Sequence, residues 1–150
     1  MKKAVETRNF VVVGHGGSGK TSLCDLMLYK AGAVSRLGSV DQKNSISDYT
    51  PDEQEKLSSI YSAVMNCEWN NNQLFFMDTP GYGEFVGETI AAVSAADSAL
   101  VVVDAIEGLQ MGTLRGLKFS RQQGIPRFIL INRIDRERAN FNGVLNQLQE

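Results

Sequence analysis

The chain has 150 residues, 43% of them hydrophobic, which suits one domain with a single filled core, and nothing in it suggests a second. Its formal net charge of -2, with acids and bases interspersed, leaves out a direct nucleic-acid patch and a membrane partner for this stretch. Lys2 and Lys3 run into Ala4, Val5 and Glu6 instead of an apolar leader, no run approaches a membrane span, and Cys24 and Cys67 match no metal-ligand spacing. A cytoplasmic protein with reduced thiols is the expectation.

In chain order, the apolar run Phe10 to Val13 marks a first strand over Asn9 to Val13. Gly14, His15, Gly16, Gly17, Ser18, Gly19, Lys20 and Thr21 follow, a glycine, four free positions, then Gly-Lys-Thr. Between strand and helix, these glycines let backbone N-H groups turn toward phosphate oxygens, where the helix dipole also favours negative charge. Lys20 is expected on the β- and γ-phosphates, the Thr21 hydroxyl on Mg²⁺, and Ser22 beside them in the nucleotide-binding set. A helix is predicted from Lys20 to about Ala31, with Leu23, Leu26 and Met27 in the core and Gly32 as its left-handed stop.

Ala33 to about Ser58 has no sustained period, and reads either as a functional loop or as a disordered surface insert, with Pro51 opening a short helical turn. Tyr61, Ala63, Met65, Cys67 and Trp69 alternate as a half-buried strand, and Asn70 to Asn72 turn into a second strand, Gln73 to Met77. That hairpin runs into Asp78, Thr79, Pro80 and Gly81, an acid at the carboxyl end of a strand with glycine beyond it. Asp78 is expected to hold Mg²⁺ and the Gly81 N-H to bond a γ-phosphate.

A helix over Glu84 to Ala96 offers Phe85, Ile90 and Val93 for packing. Ala99 to Val103 is a fully apolar strand, Met111 to Gln123 a helix carrying Leu114 and Leu117 and ending at Gly124, and Arg127 to Ile131 the next strand. It leads into Asn132, Arg133, Ile134 and Asp135, before a helix over Asn140 to Gln149. The Asp135 carboxylate can accept from N1-H and the exocyclic amine of guanine; adenine offers no such donor pair, which disfavours an ATP-using phosphoryl transferase. The fold class is α/β, a three-layer sandwich of the P-loop NTPase type, mostly parallel with one antiparallel hairpin strand.

These three motifs together resemble the GTP-binding domain of translational GTPases, and within them elongation factor G and the elongation-factor-G-like group. Asp48 to Lys56 is similar to the acidic run that leads into the family's first switch, and Asp78 to Phe85 to its second. The resemblance implies GTP or GDP with Mg²⁺ as ligands, hydrolysis of GTP, and the ribosome as a partner of the intact protein. It puts Ser59 at the family's Mg²⁺-binding threonine, so Thr21, Ser59 and Asp78 form the metal set, and Lys20, Gly81 and Tyr82 the catalytic one. His15, Gly16, Gly17, Ser18, Gly19, Asn132 and Arg133 fall in the nucleotide-binding set.

Four departures from the family pattern stand out. Tyr82 replaces the histidine that positions the attacking water, and a neutral phenol with a pKa of about 10 cannot act as imidazole does. The alternative is therefore a slow or non-hydrolysing GTP-dependent switch. Gly17 stands where the family has an aspartate that serves a monovalent cation. Arg133 stands for the usual lysine, and its planar guanidinium can still lie against a base. The sequence reads as an amino-terminal part of the domain, without its last strand and helix, and with the base pocket open on one side. His15 is expected to be a loop residue and not a catalyst.

Overall fold

The computed structural model describes residues 6–149, so the reading of Lys2 to Val5 falls outside the described residues. The strands are β1 (Glu6–Gly14), β2 (Ala63–Trp69), β3 (Asn72–Asp78), β4 (Ser98–Asp104) and β5 (Arg127–Asn132). The helices are α1 (Lys20–Lys30), α2 (Pro51–Lys56), α3 (Val86–Ala95), α4 (Met111–Gln122) and α5 (Phe141–Gln149). A 3₁₀ turn, Gly83–Phe85, precedes α3, so the helix expected from Glu84 starts later.

The strands form one sheet in the order β2-β3-β1-β4-β5, with β2-β3 antiparallel and the other pairs parallel. This is the expected three-layer α/β fold. Val12, Phe76 and Val102 face α1 with Cys24 and Leu28. Val11, Val13, Val101 and Val103 face the other way, onto Ala92 and Val93 of α3 and Val144 of α5. Central strands covered on both faces must be apolar on both, which accounts for the unbroken valine runs. The hairpin turn holds Asn70 and Asn71 at φ 49 and 60, the left-handed pair of a two-residue turn, which asparagine tolerates.

Two positions expected to pack inward, Leu26 and Ile90, are corrected, and Leu114 also faces outward. Leu26 is 39% exposed and Ile90 and Leu114 are each 44% exposed. On α1 the buried residues are Lys20, Cys24, Asp25 and Leu28, a face that passes beside Leu26. On α4 it is Gly112, Thr113, Gly116 and Ser120, because the helix lies almost on β1: a Cβ at Gly116 would stand 2.7 Å from Val13 Cγ2. Gly32 and Gly124, at φ 72 and 69, follow α1 and α4 as expected. The segment before α2 is ordered against the body, with Ser45, Ser47 and Asp48 buried, so the surface-insert alternative is set aside.

Candidate nucleotide and metal site

Parallel strands put their carboxyl ends on one edge of the sheet, and the predicted motifs end there together. β1 ends at Gly14, β3 at Asp78 and β5 at Asn132, with Val12 beside Asp78, Gly14 beside Val102 and Asp104 beside Asn132. β1 is central, with β3 on one side and β4 on the other, which is the crevice where open α/β sheets take ligands.

The loop from Gly14 to Gly19 is braced from within and from β5. Gly19 precedes α1 at φ 93 and no side chain caps the helix start, so its first N-H groups remain available for an anion. Asn132 Nδ2 donates to Ser18 O at 2.9 Å and packs against Gly19. Arg133, at φ 63, sends Nη1 to Asp104 Oδ2 at 2.7 Å. Lys20 is 5% exposed and donates to His15 O at 2.9 Å. Burial pushes its pKa down, and the Asp78 carboxylate pulls the other way.

A second group gathers around Thr21. Its hydroxyl donates to Asp78 Oδ2 at 2.6 Å and lies 3.1 Å from Ser59 Oγ. Ser47 Oγ donates to the same Asp78 oxygen at 2.7 Å, and Ser59 Oγ to Asp48 Oδ1 at 2.7 Å. Asp78 Oδ1 and Asp48 Oδ2 are buried without a partner. Burial raises the pKa of both carboxyl groups, that of Asp48 to about 6, while Lys20 draws that of Asp78 back. Three hydroxyls and two carboxylates, each carboxylate with one unpartnered buried oxygen, form a hard oxygen donor set of the kind that suits Mg²⁺.

The loop after β3 is fastened to the phosphate-loop strand. Thr79 Oγ1 donates to Val12 O at 2.8 Å and Thr89 Oγ1 to Pro80 O at 3.1 Å. Gly81 packs directly on the Gly16 backbone. The Tyr82 ring lies over Gly16, where a Cβ would meet it at 2.5 Å, and meets the His15 ring edge-on at 6.1 Å. His15 Nδ1 accepts the Gly112 N-H at 3.3 Å. Burial and Lys20 lower the imidazole pKa, which suits a neutral acceptor. His15 thus ties the phosphate loop to α4.

A cavity of about 430 Å³ opens among these groups. It is lined by Gly16, Gly17, Gly19, Lys20, Thr21, Ser22, Ser59, Gly81, Tyr82, Asn132 and Arg133 of the predicted set. His15 and Ser18 line a neighbouring cavity that shares Gly16, Gly17 and Arg133 with it, and Asp78 reaches the first through Thr21. Asp135 is exposed and does not line it, although Arg133 and Arg136 on either side of it in the same turn do.

The sequence profile of the elongation factor Tu GTP-binding domain matches residues 5–150. The chain belongs to that family. This GTP-binding domain is 31% identical over 146 residues to mitochondrial ribosome-releasing factor 2 of Candida dubliniensis, covering 97% of the chain and 18% of that protein. It is 33% identical over 142 residues to elongation factor G 2 of Borreliella afzelii, covering 95% and 21%. A protein of Thermus thermophilus of known crystal structure superposes with a TM-score of 0.91 at 36% identity, over 97% of this chain and 22% of the other. The chain thus spans about a fifth of the length of the relatives it matches. Within that family its sequence is similar to the amino-terminal part of elongation factor G 2 and of ribosome-releasing factor 2.

The motif reading of this GTP-binding domain missed Ser47 and Asp48 as site residues, along with Ser39, Val40 and Asp41, which line the same cavity. All lie in the stretch without periodicity. Asp48 alone carried a signal, as the first residue of the acidic run before Ser59. Among the described residues no helix is long and apolar enough to cross a membrane.

Proposed function

We propose that the domain binds GTP and GDP together with Mg²⁺, and that the protein containing it hydrolyses GTP while working on the ribosome. The observation that carries this is the convergence of Thr21, Ser59 and Asp78 within hydrogen-bond reach, beside a buried Lys20. The unpartnered oxygens of Asp78 and Asp48 fit a hard cation there. Bound Mg²⁺ would neutralise phosphate charge, with Thr21 and Ser59 as ligands and Asp78 and Asp48 behind them.

In this reading Lys20 and the amides from Gly16 to Thr21 hold the phosphates. The Gly81 N-H bonds the terminal phosphate, and a triphosphate must part Gly81 from Gly16 to reach it. Asn132 keeps the loop in shape, Arg133 lies along the base, and Asp135 swings onto the guanine edge as the selector. The ribosome enters through the relatives, ribosome-releasing factor 2 and elongation factor G 2.

A slow switch is the second reading, favoured by one contact: the Tyr82 ring is packed on Gly16 and brings a phenol, not an imidazole, to this position. Calorimetric titration with GDP, GTP and ATP in Mg²⁺ tests the first reading. Both guanine nucleotides bind, ATP does not, and Asp135→Asn weakens GDP roughly a hundredfold by removing two charge-assisted hydrogen bonds. Absence of heat with GDP and GTP overturns it. Single-turnover hydrolysis with ribosomes then separates the two readings: a many-fold faster Tyr82→His variant supports the switch, and equal rates support the enzyme.

A further inference from the structure

The segment from 33 to 50 has no helix or strand, yet one buried side chain of α1 hydrogen-bonds it at Ile46 and packs against it at Gly38. Asp25 is 0% exposed, and its Oδ1 accepts the Ile46 N-H at 3.0 Å. On its other oxygen stands Gly38, where a Cβ would come within 2.6 Å of Oδ2. The outgoing and returning limbs of the loop therefore meet at one carboxylate. Between them Ser39 and Asn44 close the loop, with Ser39 N donating to Asn44 Oδ1 at 2.8 Å and Asn44 N to Ser39 O at 3.1 Å.

The two residues after Ile46 connect this clamp to the site: Ser47 is bonded to Asp78, and Asp48 to Ser59. Asp25 itself lies four residues after Thr21 on α1, so one turn of helix carries both the hydroxyl at the site and the carboxylate that places the loop against it. The electrostatics point the same way. Asp25, Asp48 and Asp78 are all buried, each keeps one oxygen without a partner, and the buried Lys20 acts on Asp78 and Asp48. Carboxylates that dense are costly unless a cation answers them.

We propose that Asp25 is a positioning residue: by bonding the Ile46 amide and packing on Gly38 it sets Ser47 and Asp48 beside Thr21 and Asp78, and so links Mg²⁺-dependent retention of nucleotide to order in this loop. The ligand is that of the proposed nucleotide site, on which this inference rests, and the mechanism stands on the Asp25 contacts.

Two readouts on the full chain test it. The first is release of a fluorescent GDP analogue across Mg²⁺ concentrations and in chelator. Asp25→Ala raises the half-effective Mg²⁺ concentration about tenfold, within the range seen when residues behind a metal ligand are removed, and leaves release in chelator nearly unchanged. Asp25→Asn keeps an acceptor for Ile46 and recovers most of the effect. Gly38→Ala presses on the carboxylate from the other side and reproduces the Asp25→Ala shift, which keeps the test open should Asp25→Ala not fold. An unchanged Mg²⁺ dependence, or equal acceleration in chelator, overturns the proposal. The second readout is hydrogen exchange at the Ile46 amide without ligand, where Asp25→Ala speeds exchange; an unaltered rate overturns the clamp. If the wild-type chain retains no guanine nucleotide, the functional reading fails, and Ile46 exchange still decides whether the clamp exists.

Discussion

The Thr21 hydroxyl donates to Asp78 Oδ2 at 2.6 Å across 57 residues of sequence. The first turn of α1 and the end of β3 are thereby joined at one oxygen. Ser47 reaches that oxygen too, so three segments depend on a single carboxylate.

Asp78→Asn tests that dependence. The amide can turn its oxygen to Thr21 or Ser47, but it removes the negative charge that answers Lys20 and a cation. The expected outcome is a ten- to hundredfold weaker response to Mg²⁺, the usual cost when a group behind a metal ligand is lost. Melting in chelator should move far less. Calorimetry of GDP with Mg²⁺ and in chelator measures the first effect, and thermal unfolding in chelator the second.

Gly112→Ala tests how closely α4 sits on the site. A Cβ there would meet His15 Cα at 2.5 Å and Gly81 O at 2.7 Å, both of them backbone neighbours that cannot rotate away. The phosphate loop and the loop after β3 must separate from α4, at a cost of about 1–3 kcal/mol by the usual penalty for overpacking. Thermal unfolding should show this, together with weakened nucleotide binding. A neutral effect would mean that α4 slides freely.

Glu53 supplies a pH dependence. Thr50 and Glu53 form a reciprocal cap at the start of α2, and Glu53 Oε1 accepts the N-H groups of Ile60 and Tyr61 at 3.0 and 3.1 Å. Burial alone would raise its pKa, but the hydrogen bonds from Ile60, Tyr61 and Thr50 outweigh it and hold the group below the ordinary 4.5. A carboxyl group whose folded pKa is depressed contributes stability above its unfolded pKa and loses it as pH falls through the folded one. The wild type should therefore lose stability below pH 4.5. Glu53→Gln should be less stable by about 1–2 kcal/mol near neutral pH, as charge-assisted bonds become neutral ones, and the gap should close in acid. Denaturant titrations at two pH values measure it.

Much of the architecture was legible because glycine, asparagine and valine each answer a local demand. The valine runs gave the central strands, Asn70 and Asn71 the hairpin, and Gly32 and Gly124 the helix ends. The three motifs fell at one sheet edge because parallel strands share a direction. Leu114 misled, since leucine at helical spacing usually marks the buried face; the true face was the small-residue repeat Gly112, Gly116 and Ser120, which allows closer approach to β1. Asp25 and Ser47 were not legible at all, and Glu53 only as the acid three residues after Thr50, not as the partner of Ile60 and Tyr61. A buried polar residue has no period to betray it, and the partners of these three lie 21, 31 and 7 residues away.

Cys24 follows Lys20 by one turn, fully buried, free, and in the same core cluster as Cys67. Burial pushes its thiol well above the ordinary range, so no alkylating reagent reaches a reactive sulfur until α1 lifts from the sheet. The rate of maleimide capture at Cys24 is then a stopwatch for breathing of the first helix, read without any added label. A tenant in the crevice that holds the helix down would make it run slow.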